Sequence, residues 1–323
     1  MATRTLMYWN VENIGLGKRG KYTVTAAELV DIIAKVVLDT NVDVIAMNEI
    51  RSNLGRQLGD DIVAALDSKH GAGQWARQAS PQFTKGRLEQ YLFIWRTSRL
   101  TANGFAWQFP NPMPPPANLG FPNQVTSDRP PYAADFTITP GGHRFIMAAF
   151  HAPGPGYFNG VKRGCNNLAL VTAFQPPAPS NVAVVIMGDC NVKNPIDVSQ
   201  VGSFGWQAFL PLVNINYSQT FISLTSLKSV KDADPSWTIE DAYSEPYDQI
   251  FFRRSAAITA SGASREELLV EAKAGRYLNL PLRKIQGKRT GQQPAQFADV
   301  SEIFLAYRKY VSDHAPVIVD LDY

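Results

Sequence analysis

The sequence is short of cysteine and histidine and has no long apolar run, and each shortage closes off a class of protein. Cys165 and Cys190 are the only cysteines among 323 residues. Two are too few for a disulfide framework, and they lack the clustered spacing of a zinc site, so a reducing compartment is expected. No apolar stretch approaches the ~20 residues that a membrane-spanning helix needs. The opening "MATRTLMYWN" has no basic start, apolar centre or small-residue cleavage site of a secretory signal. The expectation is a cytoplasmic protein, or one exported without such a signal. No excess of one charge is present either: 31 Lys and Arg against 28 Asp and Glu leave a net charge of +3. That balance suits a phosphate-bearing substrate but not a protein that coats nucleic acid. No internal repeat is found.

What is there is an alternation of strand and helix patterns. Residues 5–9, "TLMYW", read as a first strand. The following "TAAELVDIIAKVVLDTNVDVIAMNEI" gives a helix with Thr25 and Glu28 in capping-box spacing and an apolar stripe at Leu29, Ile32, Ile33, Val36 and Val37, then a second strand. "DDIVAALDS" and "VKRGCNNLALVTAF" read as further helices, and "YLFIWR", "YAADFTI", "RFIMAAF" and "VAVVIMG" as strands. This mixture predicts one continuous α/β domain over residues 1–323, with two layers of sheet and helices packed outside. Two segments stand apart: a Pro-rich surface loop at 109–122, and a basic insert around 255–310 that is either solvated surface or a phosphate-contacting element.

Polar residues recur at the strand ends. Asn10 follows the first strand, Glu49 ends "DVIAMNE", His151 ends "RFIMAAFH", and Asp189 and Asn191 end "VVIMGDCN". Asp248 lies in "YDQIFF", and Asp313 with His314 precedes the apolar "APVIVDL". Each alone reads as a solvated turn residue or a satisfied core histidine. Together they are a set in which every apolar strand delivers a carboxylate, amide or imidazole. His70 and His143, on helix-end and turn-like stretches, read as surface residues.

"WNVENI", "DVIAMNEI", "FHAP", "IMGDCNV", "YDQIFF" and "VSDHAPV" resemble, in order and approximate spacing, the motifs of the endonuclease/exonuclease/phosphatase superfamily. In detail they are most similar to those of deoxyribonuclease I. The resemblance spans essentially the whole chain and implies the four-layered α/β sandwich of that fold, two mixed β-sheets between helices. It implies a magnesium site at Glu49 and Asn10 with Asp313, manganese or calcium being alternatives. It also implies histidines His151 and His314 oriented by Glu89 and Asp248, Asp189 aligning a water, and Asn191 donating to a phosphoryl oxygen. Arg51 in "NEIR" and Arg129 in "SDRPPYAADF" resemble residues that contact DNA, so the partner implied is nucleic acid, in the first place duplex DNA.

Two departures bear on substrate. Cys190 stands where the family usually has Phe or Leu, and 255–310 is longer than the matching stretch of deoxyribonuclease I. The activity expected is a metal-dependent phosphodiesterase, foremost a DNA endonuclease of low sequence specificity. A phosphatase or phospholipase of the same superfamily and a catalytically silent nucleic-acid-binding module are the alternatives. Which histidine is the base is left open.

Chemically, the small metal motif is no obstacle. Magnesium keeps several of its waters and needs only one or two protein carboxylates. Two imidazoles facing one cleft can serve as base and acid when each is held by a carboxylate.

Overall fold

The computed structural model describes residues 2–14, 17–18, 24–51, 53–81, 89–106, 131–154, 158–171, 174–175, 181–193, 198–228, 236–266, 307–308 and 311–323. The Pro-rich loop at 109–122, Arg129, the side chain of Thr25 and most of the 255–310 insert lie outside these residues.

Two six-stranded mixed sheets face each other. The first has the order β13(Thr259–Arg265), β14(Val317–Asp322), β1(Thr3–Ile14), β4(Val44–Arg51), β6(Glu89–Arg96) and β5(Trp75–Ala79). The second runs β11(Ser218–Phe221), β12(Asp248–Arg253), β10(Val182–Asp189), β9(Arg144–His151), β8(Tyr132–Ile138) and β7(Leu100–Ala106). A short hairpin of β2(Gly17–Lys18) and β3(Val24–Thr25) leads into helix α1(Ala26–Asp39). The opening of the 255–310 stretch is thus not insert alone: β13 pairs antiparallel with β14 as an edge strand.

The period-2 alternation of the strands builds two cores from the first sheet. Leu6 and Tyr8, Val44 and Ala46, and Tyr91, Phe93 and Trp95 point between the sheets, meeting Phe136, Phe145, Met147 and Val185 of the second. The intervening Met7 and Trp9, Ile45 and Met47, and Leu92 and Ile94 pack on the helices. There α1 contributes Leu29, Ile33, Val36 and Val37, and α2(Gly55–His70) contributes Leu58, Ile62 and Leu66 at helical spacing. On the far side α3(Phe158–Leu168) and α4(Phe204–Asn214) cover the second sheet with Val161, Cys165, Leu168, Ala208, Phe209 and Leu212. His70 is exposed at the end of α2 and stacks on Trp75, while His143 is half-buried in a turn against Tyr323.

Each sheet holds one parallel pair near its centre, β1 with β4 and β9 with β10. Antiparallel strands flank both pairs: β14 and β6 in the first sheet, β12 and β8 in the second. Parallel strands present their C-terminal ends at one end of the sandwich, and antiparallel neighbours present their starts there. That arrangement carries Asn10, Glu49, His151 and Asp189 to one end from parallel strands, joined by Glu89 and Asp248 from the first positions of β6 and β12.

Candidate active site

Two local irregularities turn these side chains inward. The expected strand closures at Asn10 and Glu49 are in fact breaks in pairing. β1 continues to Ile14 with a register shift after Asn10, and the β4–β6 ladder shifts between Met47 and Ile50. Glu49 occupies that bulge at φ +54, and Asn191 stands at φ +51. Left-handed backbone costs a non-glycine residue about 1–2 kcal/mol, and bulges re-aim side chains beside active sites. Gly188 meets a further demand: a Cβ there would lie 2.2 Å from the Phe150 carbonyl oxygen, so only glycine lets β9 approach so closely next to Asp189.

Asp189 is the hub. Its Oδ2 accepts from Asn10 Nδ2 at 3.0 Å and lies 3.6 Å from His151 Nε2 and 3.8 Å from His314 Nε2. Its Oδ1 accepts the Asn191 backbone N–H at 2.9 Å. Asn10 Nδ2 also donates to Glu49 Oε1 at 3.2 Å, and Glu49 Oε1 stands 3.6 Å from His151 Nε2. Burial pushes the Asp189 carboxyl up, against the pull of His314 and His151.

The two imidazoles are held alike. His151 Nδ1 bonds Glu89 Oε2 at 3.1 Å, and His314 Nδ1 bonds Asp248 Oδ2 at 2.7 Å. A carboxylate at Nδ1 fixes the proton there and leaves Nε2 to face the centre. Burial alone would lower His314, but Asp248 and Asp189 beside it, with Asp313 further out, hold it well above the usual histidine value.

Asp313 sits at the margin, 3.8 Å from His314 Nε2 and 3.7 Å from Arg308. Asn191 is buried, and its Nδ2 donates to the Ala152 carbonyl at 3.2 Å. Arg51 is exposed two residues beyond Glu49. The structure therefore brings Asn10, Glu49, Glu89, His151, Asp189, Asn191, Asp248 and His314 together, places Asp313 and Arg51 at the edge, and leaves Arg129 outside the described residues.

Several supporting residues escape a motif reading. The Tyr8 hydroxyl accepts the Asp189 backbone N–H at 2.9 Å and donates to the Phe150 carbonyl at 3.3 Å, tying the first sheet to both central strands of the second. Its signal was its position: two residues before Asn10 on an alternating strand, it shares that residue's face. Ser312 is fully buried, donating to the Asn10 carbonyl at 2.6 Å and accepting the His314 N–H at 3.0 Å. It straps the loop to β1. Tyr247, half-buried, lies with its ring 6.0 Å from that of His314; burial first, then Glu245, Asp189 and Asp313, push its phenol up to about 12.

One ligand atom from each of Glu49, His151 and Asp189 falls within 4.8 Å of the others. Two of the three are carboxylates, and the Asn10 side-chain nitrogen donates to both. Hard oxygen donors in a buried, acid-rich pocket fit a hard divalent cation such as magnesium.

The arrangement of two facing mixed sheets flanked by helices is shared with solved structures across the full chain. An endonuclease/exonuclease/phosphatase family protein from Bacteroides thetaiotaomicron superposes with a TM-score of 0.56 at 13% identity, covering 100% of this chain and 98% of that one. The fold is the endonuclease/exonuclease/phosphatase fold. Two further structures with this fold are D. rerio TDP2 complexed with a single-strand DNA product, TM-score 0.55 at 13% identity with 100% of both chains covered, and a Bacteroides thetaiotaomicron mannosyl-6-phosphatase, TM-score 0.54 at 14% identity with 99% and 100% covered. By sequence, no family model and no curated protein matches.

Proposed function

We propose that the chain is a metal-dependent phosphodiesterase of the endonuclease/exonuclease/phosphatase superfamily, and foremost a DNA endonuclease of low sequence specificity. The observation that carries this reading is the facing of two Nδ1-anchored imidazoles, His151 and His314, across the shared Asp189 carboxylate. A protein that only bound nucleic acid would need neither histidine–carboxylate pair.

Glu49, with Asn10 and Asp189 beside it, would hold the cation, and Asp313 is placed to join from the margin. Magnesium, when bound, neutralises charge on the phosphate and helps orient it. The remaining work belongs to the chain. The two Nε2 atoms take and give protons on either side of the phosphorus, with Glu89 and Asp248 stabilising whichever imidazole is charged. Asp189, hydrogen-bonded on both oxygens, orients the attacking water. Asn191 has one Nδ2 hydrogen committed to Ala152, and the other serves a phosphoryl oxygen without adding negative charge.

DNA is favoured by Arg51, exposed beside the metal carboxylate where a polyanion's flanking phosphates would run, and by the resemblance to deoxyribonuclease I. Among the structures sharing the fold, TDP2 is seen with a DNA product and another is a mannosyl-6-phosphatase. The phosphatase branch is therefore the second reading. Plasmid nicking and release of phosphate from small esters, each with magnesium and with excess chelator, separate the two. Nicking that needs the metal and is abolished by Glu49→Gln in folded protein supports the endonuclease. Ester hydrolysis without nicking moves the assignment to the phosphatase branch, and full activity in chelator removes the metal's role.

A further inference from the structure

One polar group beside this site has no hydrogen bond to account for it. Asn48 is 1% exposed, yet neither its Oδ1 nor its Nδ2 finds a partner among the described residues. Its direction follows from the ladder. On β4, Val44 and Ala46 face the gap between the sheets, and Ile45 and Met47 face the helices. Residue 48 continues the first set, and it stands in register with Asn10, whose amide reaches across that gap to Asp189. Asn48 therefore faces the same gap as Asn10, one residue before Glu49.

An amide buried with both ends unbonded is costly, and an apolar side chain of similar size would fill the space without that penalty. Such a group fits a ligand that offers donors and acceptors together. We infer that Asn48 is a metal-supporting residue, holding through its amide a water of the hydrated divalent cation that Glu49 binds. A magnesium ion retains several waters, each presenting O–H groups to an acceptor such as Oδ1 and a lone pair to a donor such as Nδ2. Partners of this kind hold an ion's ligands in place and matter nearly as much as the ligands. The inference rests on the metal site proposed above, but not on what the enzyme cleaves.

Its test is calorimetric titration of chelator-stripped protein with magnesium chloride, for wild type, Asn48→Leu and Asn48→Ala, beside thermal unfolding in chelator. Asn48→Leu should melt at or above the wild-type midpoint without metal, because the unbonded amide is gone. Its magnesium affinity should fall about tenfold, the lower range for residues that support a metal through its ligands. The stabilisation gained on adding magnesium should shrink in step. Affinity within about twofold of wild type, in whichever variant folds, overturns the inference. So does unfolding of both variants in chelator, which would make the amide purely structural. Wild-type protein that binds magnesium in this Asn48-dependent way but cleaves neither DNA nor small esters would overturn the proposed activity and leave Asn48's role standing.

Discussion

His151 and His314 are given matched roles in the proposed mechanism but are held in place by different means. His151 is the last residue of β9, and its backbone is fixed by pairing with Asp189 of β10. His314 lies in the loop before β14, where an isolated bridge to Ser226 is the strand-like pairing found among the described residues. Side chains supply the rest: Ser312 accepts its N–H, and Trp9 Nε1 and Tyr307 Oη both donate to its carbonyl, at 3.2 and 2.9 Å. The carboxylates differ in the same sense. Asp248 is wholly buried, and its Oδ1 has no hydrogen-bond partner among the described residues, so its charge is directed at His314. A strand histidine is secured by the sheet. A loop histidine depends on particular neighbours and is exposed to their loss.

The largest test of this contrast removes the imidazoles. His151→Ala and His314→Ala should each lower kcat about 100- to 10,000-fold, the usual contribution of a general acid or base. The double variant should lose less than the product, since the two act as a unit. Of the partners, Asp248→Asn should be more harmful than Glu89→Gln, because Asp248 serves His314 alone. Equal effects in steady-state kinetics would erase the distinction.

A smaller effect concerns stability and pH. Histidine titrates near 6.5 when unfolded, and in the folded protein His314 is held well above its usual value. The folded state therefore binds the proton more tightly. The stabilisation is complete below about pH 6.5 and is lost as pH climbs through the raised folded value. In chelator, the stability gap between wild type and His314→Gln should narrow from pH 6 upward; a gap that widens would contradict the sign.

The smallest effect should come from Tyr307→Phe. Losing one of two donors to the His314 carbonyl should cost about 1 kcal/mol in denaturant unfolding. In proton NMR titrations it should disturb the His314 ring and leave that of His151 unmoved. Equal disturbance of both rings would show that the two histidines share their support after all.

Much of this was readable in the sequence, because the proposed catalytic groups sit where apolar strands stop and the turn chemistry is local. "GDCN" and "SDHAPV" place Asp189, Asn191 and His314 without knowledge of the fold. What hid was non-local or concealed by composition. The bulge at Glu49 depends on pairing with β6, in which Arg51 stands opposite Glu89, a residue 38 positions further along the chain. Helix α4 is apolar on most sides and carries Pro211 in its interior, which argues against a helix. Edge strand β13, "TASGASR", has none of the β-branched density that marks a strand, and its strand pairing among the described residues is with β14. Tyr8, Trp9 and Tyr307 look like ordinary core aromatics until their polar atoms are traced.

The two histidine–carboxylate pairs cross in opposite directions between the sheets. Glu89 of the first sheet holds His151 of the second, and Asp248 of the second holds the histidine that precedes β14 of the first. Neither sheet, however well formed, contains a competent pair. During refolding, hydrolysis by the proposed mechanism should therefore begin only once the two sheets have docked.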